Sequence, residues 1–189
     1  MKERQIKNIE RDLLEPLFEY FVKNGLENIS IREICKNVDV SSGSLYYWFK
    51  GKDEIIYATI NYGLIESVKK LFKFANAEIA NPKGFFEGIL NEVDKCKEEF
   101  RFVFQATTSP RFGPRIRENA LTYKTEYEKC CQTFSEVLNC DINYIRHIIY
   151  MLVSIIVDYV VWDDYEVSKM QLSFLSQTLI RHIDSEQTA

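Results

Sequence analysis

Apolar residues between positions 29 and 56 recur at the spacing of short helices, with tight turns between them. Ser30 begins the first of these helices, because Glu33 three positions later completes a capping box ahead of a periodic apolar run. The residues predicted to form its buried face are Ile31, Ile34, Cys35 and Val38. We therefore predict a short amphipathic helix that begins at Ser30.

A turn and a second short helix follow directly. The turn is predicted at residues 39–40, because Asp tolerates a left-handed backbone better than most residues. Ser41 can cap the next helix, which opens with the small residues 42–44 and carries Leu45 inward. Residues 46–48 are three consecutive aromatics that cannot all face one side of a helix, so at least one is exposed.

This pair of helices suits presentation of the second helix end-on to a DNA major groove. Small residues at its start allow close approach, while tyrosine hydroxyls, an indole N–H and lysine ammonium groups can donate to phosphate oxygens. The alternative is a helical hairpin in which the aromatic side chains form core. The consecutive aromatics argue against that alternative, because exposed aromatic rings need a reason.

The same stretch resembles the N-terminal DNA-binding domain of the TetR/AcrR family of transcriptional regulators. Phe21 stands four residues before Gly25 at the end of helix one, Ser30 opens helix two, and residues 39–41 form the turn. The family signature appears at residues 45–53 as LYYWFKGKD. The resemblance covers roughly residues 9 to 58, under a third of the chain. It implies an all-α fold, sequence-specific DNA binding and a homodimer.

Three positions depart from the family pattern. Pro16 stands where the family has Ala, and an interior Pro removes a helical hydrogen bond. Helix one is therefore predicted to start near Asp12 with Pro16 in its first turn, or to be kinked there. Asp39 replaces the turn glycine. Trp48 replaces His or Tyr, which keeps a donor but enlarges the side chain.

Ten residues are candidates for DNA contact. The candidates for base edges are Ser42, Gly43, Ser44 and Tyr47, with Arg32 of helix two as a possible guanine reader. The candidates for phosphate contact are Ser30, Ser41, Tyr46, Trp48 and Lys52. Between positions 30 and 52 the sequence has four basic and two acidic residues, a net charge of +2. Because this excess is small, neutralisation of DNA phosphates is expected to depend on two copies acting together.

Beyond the motif, the chain predicts an all-α fold of about nine helices. A long helix from Asp53 to about Ala80 belongs to both halves, and helices follow at about 83–97, 99–107, 114–138, 141–163 and 165–183. We place a helix-turn-helix DNA-binding domain at residues 1–55. A ligand-binding and dimerisation domain occupies residues 56–189. The helix at 141–163 is apolar nearly all round, so we expect the last two helices to form a four-helix interface in a homodimer.

Composition narrows the class of protein. The net charge of −4 is not that of a chain that coats nucleic acid, and no secretory signal begins the sequence. The longest apolar stretch, 148–162, is interrupted by Ser154 and Asp158 and is expected to be too short to span a bilayer, so we expect a cytoplasmic protein without membrane contact. Five cysteines lack metal-like spacing, and Cys130 and Cys131 are either reduced core thiols or a redox sensor.

The second half is expected to hold a small-molecule cavity bounded by helices from about 60 to 162. Its aromatic content favours an apolar or aromatic ligand. Candidate lining residues are Phe104, Tyr123, Tyr127, His147, Tyr150 and Trp162, each of which could instead be ordinary core or interface. Arg111, Arg115 and Arg117 form a small basic cluster, either a solvated face or an anion site.

The sequence therefore predicts a homodimeric repressor that leaves its palindromic operator when it binds a small ligand. The alternatives are an activator or adaptor with the same motif, and a helical enzyme. With only two histidines and neither a glycine-rich phosphate loop nor a metal-spaced set of ligands, an enzyme is disfavoured, and no metal or cofactor is expected.

Overall fold

The computed structural model describes residues 10–26, 29–118 and 121–187, and all its regular structure is helical. The expected all-α fold class is confirmed. The bounds of the ten α helices are α1 Glu15–Asn24, α2 Ile31–Val38, α3 Ser42–Trp48, α4 Lys52–Glu78, α5 Pro82–Asp94, α6 Lys97–Thr108, α7 Gly113–Glu118, α8 Leu121–Leu138, α9 Ile142–Trp162 and α10 Tyr165–Gln187. The range predicted as one helix, 114–138, contains α7 and α8, and residues 119–120 between them lie outside the described residues.

Helix α1 begins three residues later than expected. One π-helical turn, Glu10–Leu14, precedes it, and Pro16 lies in the first turn of the α helix. Because Pro has no N–H, it is tolerated in a first turn, where that donor would have no helical acceptor. Gly25 ends the helix with φ +73°, and its N–H donates to the carbonyl of Phe21 at 2.8 Å. The sequence also predicts a polar arm at residues 1–11, of which residues 1–9 lie outside the described residues.

The chain forms two compact units. The first contains the described residues up to 66 together with 98–118, and the second contains 67–97 together with 121–187. Helix α4 contributes residues to both units. The two units are defined by which residues pack together, and this does not test which residues bind DNA or a ligand. The division between a DNA-binding domain ending at residue 55 and a regulatory domain therefore stays a prediction.

The core of the first unit joins α1 to α4 and α6. The ring of Phe18 contacts Phe102 edge-on, with centroids 5.7 Å apart, and Tyr62 at 6.5 Å. Gly63 is required where Phe18 meets α4, because a Cβ at Gly63 would lie 1.9 Å from Cε2 of that ring. The buried side chains of α2 and α3, such as Ile34 and Leu45, belong to the same core, which fixes the helix-turn-helix on α4.

Helices α5, α9 and α10 pack together in the second unit. The hydroxyl of Tyr159 on α9 donates to Asp94 at 2.6 Å, and the Lys97 ammonium lies 3.6 Å from the centroid of the Tyr159 ring. Ion pairing with Asp163 and the contact with Tyr159 outweigh burial and raise the pKa of Lys97. These contacts join the two sequence segments of the unit, 67–97 and 121–187.

Helix α9 corrects one expectation from the sequence. With 21 residues and a mean hydropathy of 1.6, it is long and apolar enough to cross a bilayer by those criteria. The apolar stretch identified from the sequence, 148–162, was shorter because it omitted the first six residues of the helix. One face of α9 is buried in the second unit, and its buried residues are Ile145, Ile148, Ile149, Leu152, Ile156, Tyr159 and Val160. The helix is therefore partly buried core of this unit.

Candidate nucleic-acid interface

The turn between α2 and α3 is fixed by local hydrogen bonds. Ser30 caps α2: its Oγ accepts from the N–H of Glu33 at 3.2 Å, and the Glu33 carboxylate accepts from the Ser30 N–H at 2.7 Å. These hydrogen bonds from Ser30 lower the pKa of Glu33. Asp39 ends α2 in the left-handed conformation with φ +51°, as the sequence predicts. Ser41 caps α3 by accepting from the Ser44 N–H at 3.1 Å.

The aromatic residues of α3 face solvent. Tyr46 is 55% exposed, Tyr47 78% and Trp48 44%, whereas Leu45 is buried. The rings of Tyr47 and Trp48 meet edge-on with centroids 4.8 Å apart. Exposed rings with donor groups, next to the exposed small residues 42–44, form a surface that can meet base edges and phosphates together. A core role for all three aromatic rings is excluded.

The other candidates for DNA contact fall into two groups. Arg32 is exposed on α2. Ser30 and Ser41 already use their hydroxyl oxygens as cap acceptors, but each hydroxyl can still donate a hydrogen bond. Lys52 is half-buried, and its ammonium donates to the carbonyl of Ile29 at 3.0 Å. An ammonium has three donors, so this contact leaves capacity for a phosphate. All ten assignments stay predictions.

Two arginines more than 50 positions later in the sequence contact residues in the first turns of α4. The local sequence pattern did not predict these contacts. Arg111, in the turn before α7, donates to the Asp53 carboxylate at 2.5 Å, and this hydrogen bond lowers the pKa of Asp53. The Arg115 guanidinium lies 3.9 Å from the centroid of the Tyr57 ring. The three arginines of the basic cluster therefore have separate contacts, since Arg117 donates to the carbonyl of Thr107 at 2.7 Å.

The six candidate ligand residues occupy different environments. Phe104, Tyr123 and Tyr127 are half-buried, and the Tyr127 hydroxyl donates to the carbonyl of Arg146 at 3.1 Å. Burial raises the pKa of Tyr127 to about 12. His147 and Tyr150 are exposed, and Trp162 is 74% exposed. In the described part of the chain, none of the six lines the cavity of the first unit or the grooves of the second. Their role in ligand binding stays a prediction.

Helices α9 and α10 carry a second exposed surface, which is apolar. A shallow groove lies between them, lined by side chains that include Met151, Ile155 and Met170. Phe174, also in the groove, is 74% exposed. We call this surface the apolar face; its large exposed residues are Tyr150, Met151, Val161, Trp162, Tyr165, Val167, Met170 and Phe174. Large exposed apolar side chains on two helices that pack together favour an interaction surface.

The two adjacent cysteines lie in the second unit. Cys130 and Cys131 are buried in α8, and none of the five described cysteines forms a disulfide. Burial raises the pKa of Cys130 to about 12 and also raises that of Cys131. A protonated, buried thiol reacts slowly with oxidants, which favours a core role over redox sensing. Among the described residues, no group of three or more His, Cys, Asp or Glu side chains could hold a metal ion.

Comparison with known proteins agrees with this geometry. Residues 13–59 match the family model described as bacterial regulatory proteins, tetR family. YuxN of Bacillus subtilis (strain 168), described as an uncharacterized HTH-type transcriptional regulator, is 19% identical over 127 residues, which are 67% of this chain but only 40% of that relative.

A solved structure shares the fold. It is described as a transcriptional regulator of the TerR/AcrR family from Aquifex aeolicus VF5. It is 23% identical with a TM-score of 0.51, and the alignment covers 93% of this chain and 97% of that one. Residues 13–59 are thus a helix-turn-helix of the tetR family of bacterial regulatory proteins, in a chain that shares its fold with the solved regulator.

Proposed function

We propose that this chain is a cytoplasmic homodimeric repressor that binds a palindromic operator and leaves it when a small apolar or aromatic ligand binds. The observation that carries the proposal is the solvent-facing surface of α3. A helix capped by Ser41 holds Tyr46, Tyr47 and Trp48 outward beside small residues. Three exposed aromatic side chains on a seven-residue helix are costly in water and are explained by a partner that covers them.

The apolar face supports the homodimer. A single copy leaves Phe174 and Trp162 each 74% exposed, and a two-fold axis would set the same face of a second copy against them. Two copies of α9 and α10 would then form a four-helix interface. The two α3 helices of such a dimer would enter successive major grooves roughly 34–36 Å apart. Its operator would be a palindrome.

Ligand release requires that the ligand bind one spacing of the α3 helices better than the other. We propose that the ligand-bound dimer prefers a spacing that no longer matches successive major grooves. Distance measurement between spin labels on the two copies tests this mechanism. Labels can be attached at Lys36, which is exposed on α2, in a variant without reactive cysteines. An identical distance distribution in the ligand-bound and DNA-bound forms would refute it.

The direct test of function is selection of binding sites from random duplexes with the purified protein. A palindromic consensus with two half-sites about one DNA turn apart is expected. Recovery of no consensus, or of a single half-site, would contradict the dimeric model. A promoter fusion carrying the recovered operator then separates repression from activation. Loss of the regulator is expected to raise reporter expression, and a fall would identify an activator.

A further inference from the structure

The first unit contains a cavity beside the start of α4. Its volume is about 630 Å³, and it is bounded by the C-terminal end of α1, the first turns of α4, the second half of α6 and the turn that follows α6. A cavity of this size is in the range that holds a small organic molecule. Each described lining residue belongs to the unit that carries the helix-turn-helix.

The cavity has an apolar wall and a cationic one. Ile56, Phe102 and Phe112 supply buried apolar surface. Lys52 and Arg111 supply two cations, and no carboxylate belongs to the part of the lining that the structure describes. An apolar wall with a few convergent polar groups is the usual composition of a small-molecule site. The two positive charges favour a ligand that carries a negative one.

Both cations take part in contacts that hold the helix-turn-helix in position. The Lys52 ammonium binds the carbonyl of Ile29, directly before the capping residue of α2, at 3.0 Å. Arg111 pairs with Asp53 in the first turn of α4 at 2.5 Å, and both side chains of that pair are about 60% exposed. An exposed ion pair is held weakly, so an anion in the cavity can compete with Asp53 for the guanidinium.

We propose that this cavity binds a small organic anion with an apolar body, whose acidic group engages Arg111 and Lys52 while its body contacts Phe102 and Phe112. Occupancy draws Arg111 away from Asp53 and changes how the helix-turn-helix is held, which lowers affinity for the operator. This inference rests on the proposed function for its regulatory consequence. It gives the effector a chemical class and a place that the six sequence candidates did not include.

The test is calorimetry on the full chain with three carboxylates: 1-naphthoate, indole-3-acetate and octanoate. The uncharged 1-naphthalenemethanol and the cationic 1-naphthylmethylammonium serve as matched probes with the same ring. At least one carboxylate is expected to bind, with the uncharged and cationic analogues at least about tenfold weaker, since a charge-assisted hydrogen bond is roughly twice as strong as a neutral one. Binding of no carboxylate, or equal binding of the neutral analogue, would overturn the proposal.

Charge variants then locate the site. Gln105 is exposed and lines the cavity. Gln105→Glu is expected to weaken binding of the carboxylate at least about fivefold, and Gln105→Lys to strengthen it, because the added charge faces the ligand. Arg111→Gln should weaken binding about tenfold. Asn91→Asp, which adds the same charge at an exposed position of the second unit, is the matched control. A general loss of stability would weaken binding in both Gln105 variants. Weaker binding in Gln105→Glu with stronger binding in Gln105→Lys therefore places the carboxylate in this cavity.

Operator affinity measured with and without the carboxylate tests the proposed regulation. The carboxylate is expected to lower operator affinity of the wild-type chain and of Asn91→Asp, and to act about fivefold less potently on Gln105→Glu. Unchanged operator affinity at saturating carboxylate would overturn the proposed regulation. A chain that binds no duplex at all would refute the repressor function instead, and the calorimetry would still decide whether the cavity binds the anion.

Discussion

The ammonium of Lys52 donates to the backbone carbonyl of Ile29 at 3.0 Å, across 23 positions of sequence. It ties the first residue of α4 to the segment that enters α2, so a residue assigned to phosphate contact also has a role within the fold. Two roles for one side chain have separate measurable signatures. Loss of the carbonyl contact lowers stability, whereas loss of a phosphate contact lowers the salt dependence of DNA binding.

Lys52→Ala is expected to lower both quantities. The free energy of unfolding should fall by about 1 kcal/mol, a typical net value for one hydrogen bond, and the salt slope of operator binding should fall by about one unit. Urea denaturation and fluorescence anisotropy at several salt concentrations measure the two effects. Lys83→Ala, which alters an exposed lysine of α5, should change neither. An unchanged salt slope in Lys52→Ala would remove this residue from the phosphate contacts.

The two tyrosines of α3 are expected to differ in effect. Tyr46→Phe should weaken binding to all duplexes alike, because a phosphate contact carries no sequence information. Tyr47→Ala should weaken binding to the selected operator more than to an unrelated duplex, because base contacts specify sequence. Both side chains are exposed, so melting temperatures should stay within about 1–2 °C of wild type. Lys83→Ala, an exposed change on α5, is the control, and equal losses on both duplexes for Tyr47→Ala would remove its base-reading role.

The apolar face is expected to hold the dimer together. Phe174→Arg places a charge at the centre of the proposed interface, where burial of an unpaired charge is costly, and should yield a monomer in sedimentation experiments. Val137→Arg introduces the same charge at an exposed apolar residue of α8 and should leave the dimer intact. A wild-type chain that sediments as a monomer, or a dimer that tolerates Phe174→Arg, would exclude this face as the interface.

Close packing at Gly63 gives a prediction about stability. Gly63→Ala should destabilise the chain by about 1–3 kcal/mol, because its Cβ would overlap the ring of Phe18. Adding Phe18→Leu should recover part of that loss, since it removes the ring atoms that clash. Gly51→Ala is the control, because a Cβ at Gly51 has nothing within 4 Å. Equal destabilisation in the presence and absence of the Phe18 ring would show that backbone strain, and not the clash, causes the loss.

Alkaline pH should destabilise the second unit through Cys130. The unfolded thiol ionises near its ordinary pKa of 9.0, while the folded pKa is about 12, so this contribution to stability is full below pH 9 and is lost as pH rises towards 12. Between pH 8 and 10.5 it falls by an amount on the order of 2 kcal/mol. Urea denaturation of Cys130→Ala should show a smaller dependence on pH than wild type. An equal dependence on pH in the two chains would contradict this role of Cys130.

Peroxide provides the companion measurement on the native protein. Operator affinity is expected to be unchanged after treatment at neutral pH, because Cys130 and Cys131 are buried and their raised pKa values keep them protonated. A loss of affinity that reductant restores, and that Cys130→Ala abolishes, would return these thiols to the role of redox sensor.

The sequence predicts this interface well where the determining contacts are local. The capping box of Ser30 and Glu33 and the left-handed Asp39 depend on residues within a few positions, and each is found as expected. The pair of Arg111 and Asp53 depends on contact across 58 positions, which no local pattern encodes. The sequence likewise did not determine which of the aromatic ligand candidates are buried and which are exposed. Their burial is decided by how helices pack, and Trp162 lies on the surface.

The chain contains two tryptophans, and they lie on the two surfaces that are proposed to bind partners. Trp48 is on α3 with Tyr47 against its edge, and Trp162 ends α9. Replacing either one by Phe leaves a single tryptophan beside the eleven tyrosines. With excitation selective for tryptophan, emission from Trp48 alone reports arrival of DNA and emission from Trp162 alone reports arrival of a second copy. The order of the two events, assembly before operator binding or on the operator itself, can thus be followed in real time without an attached dye.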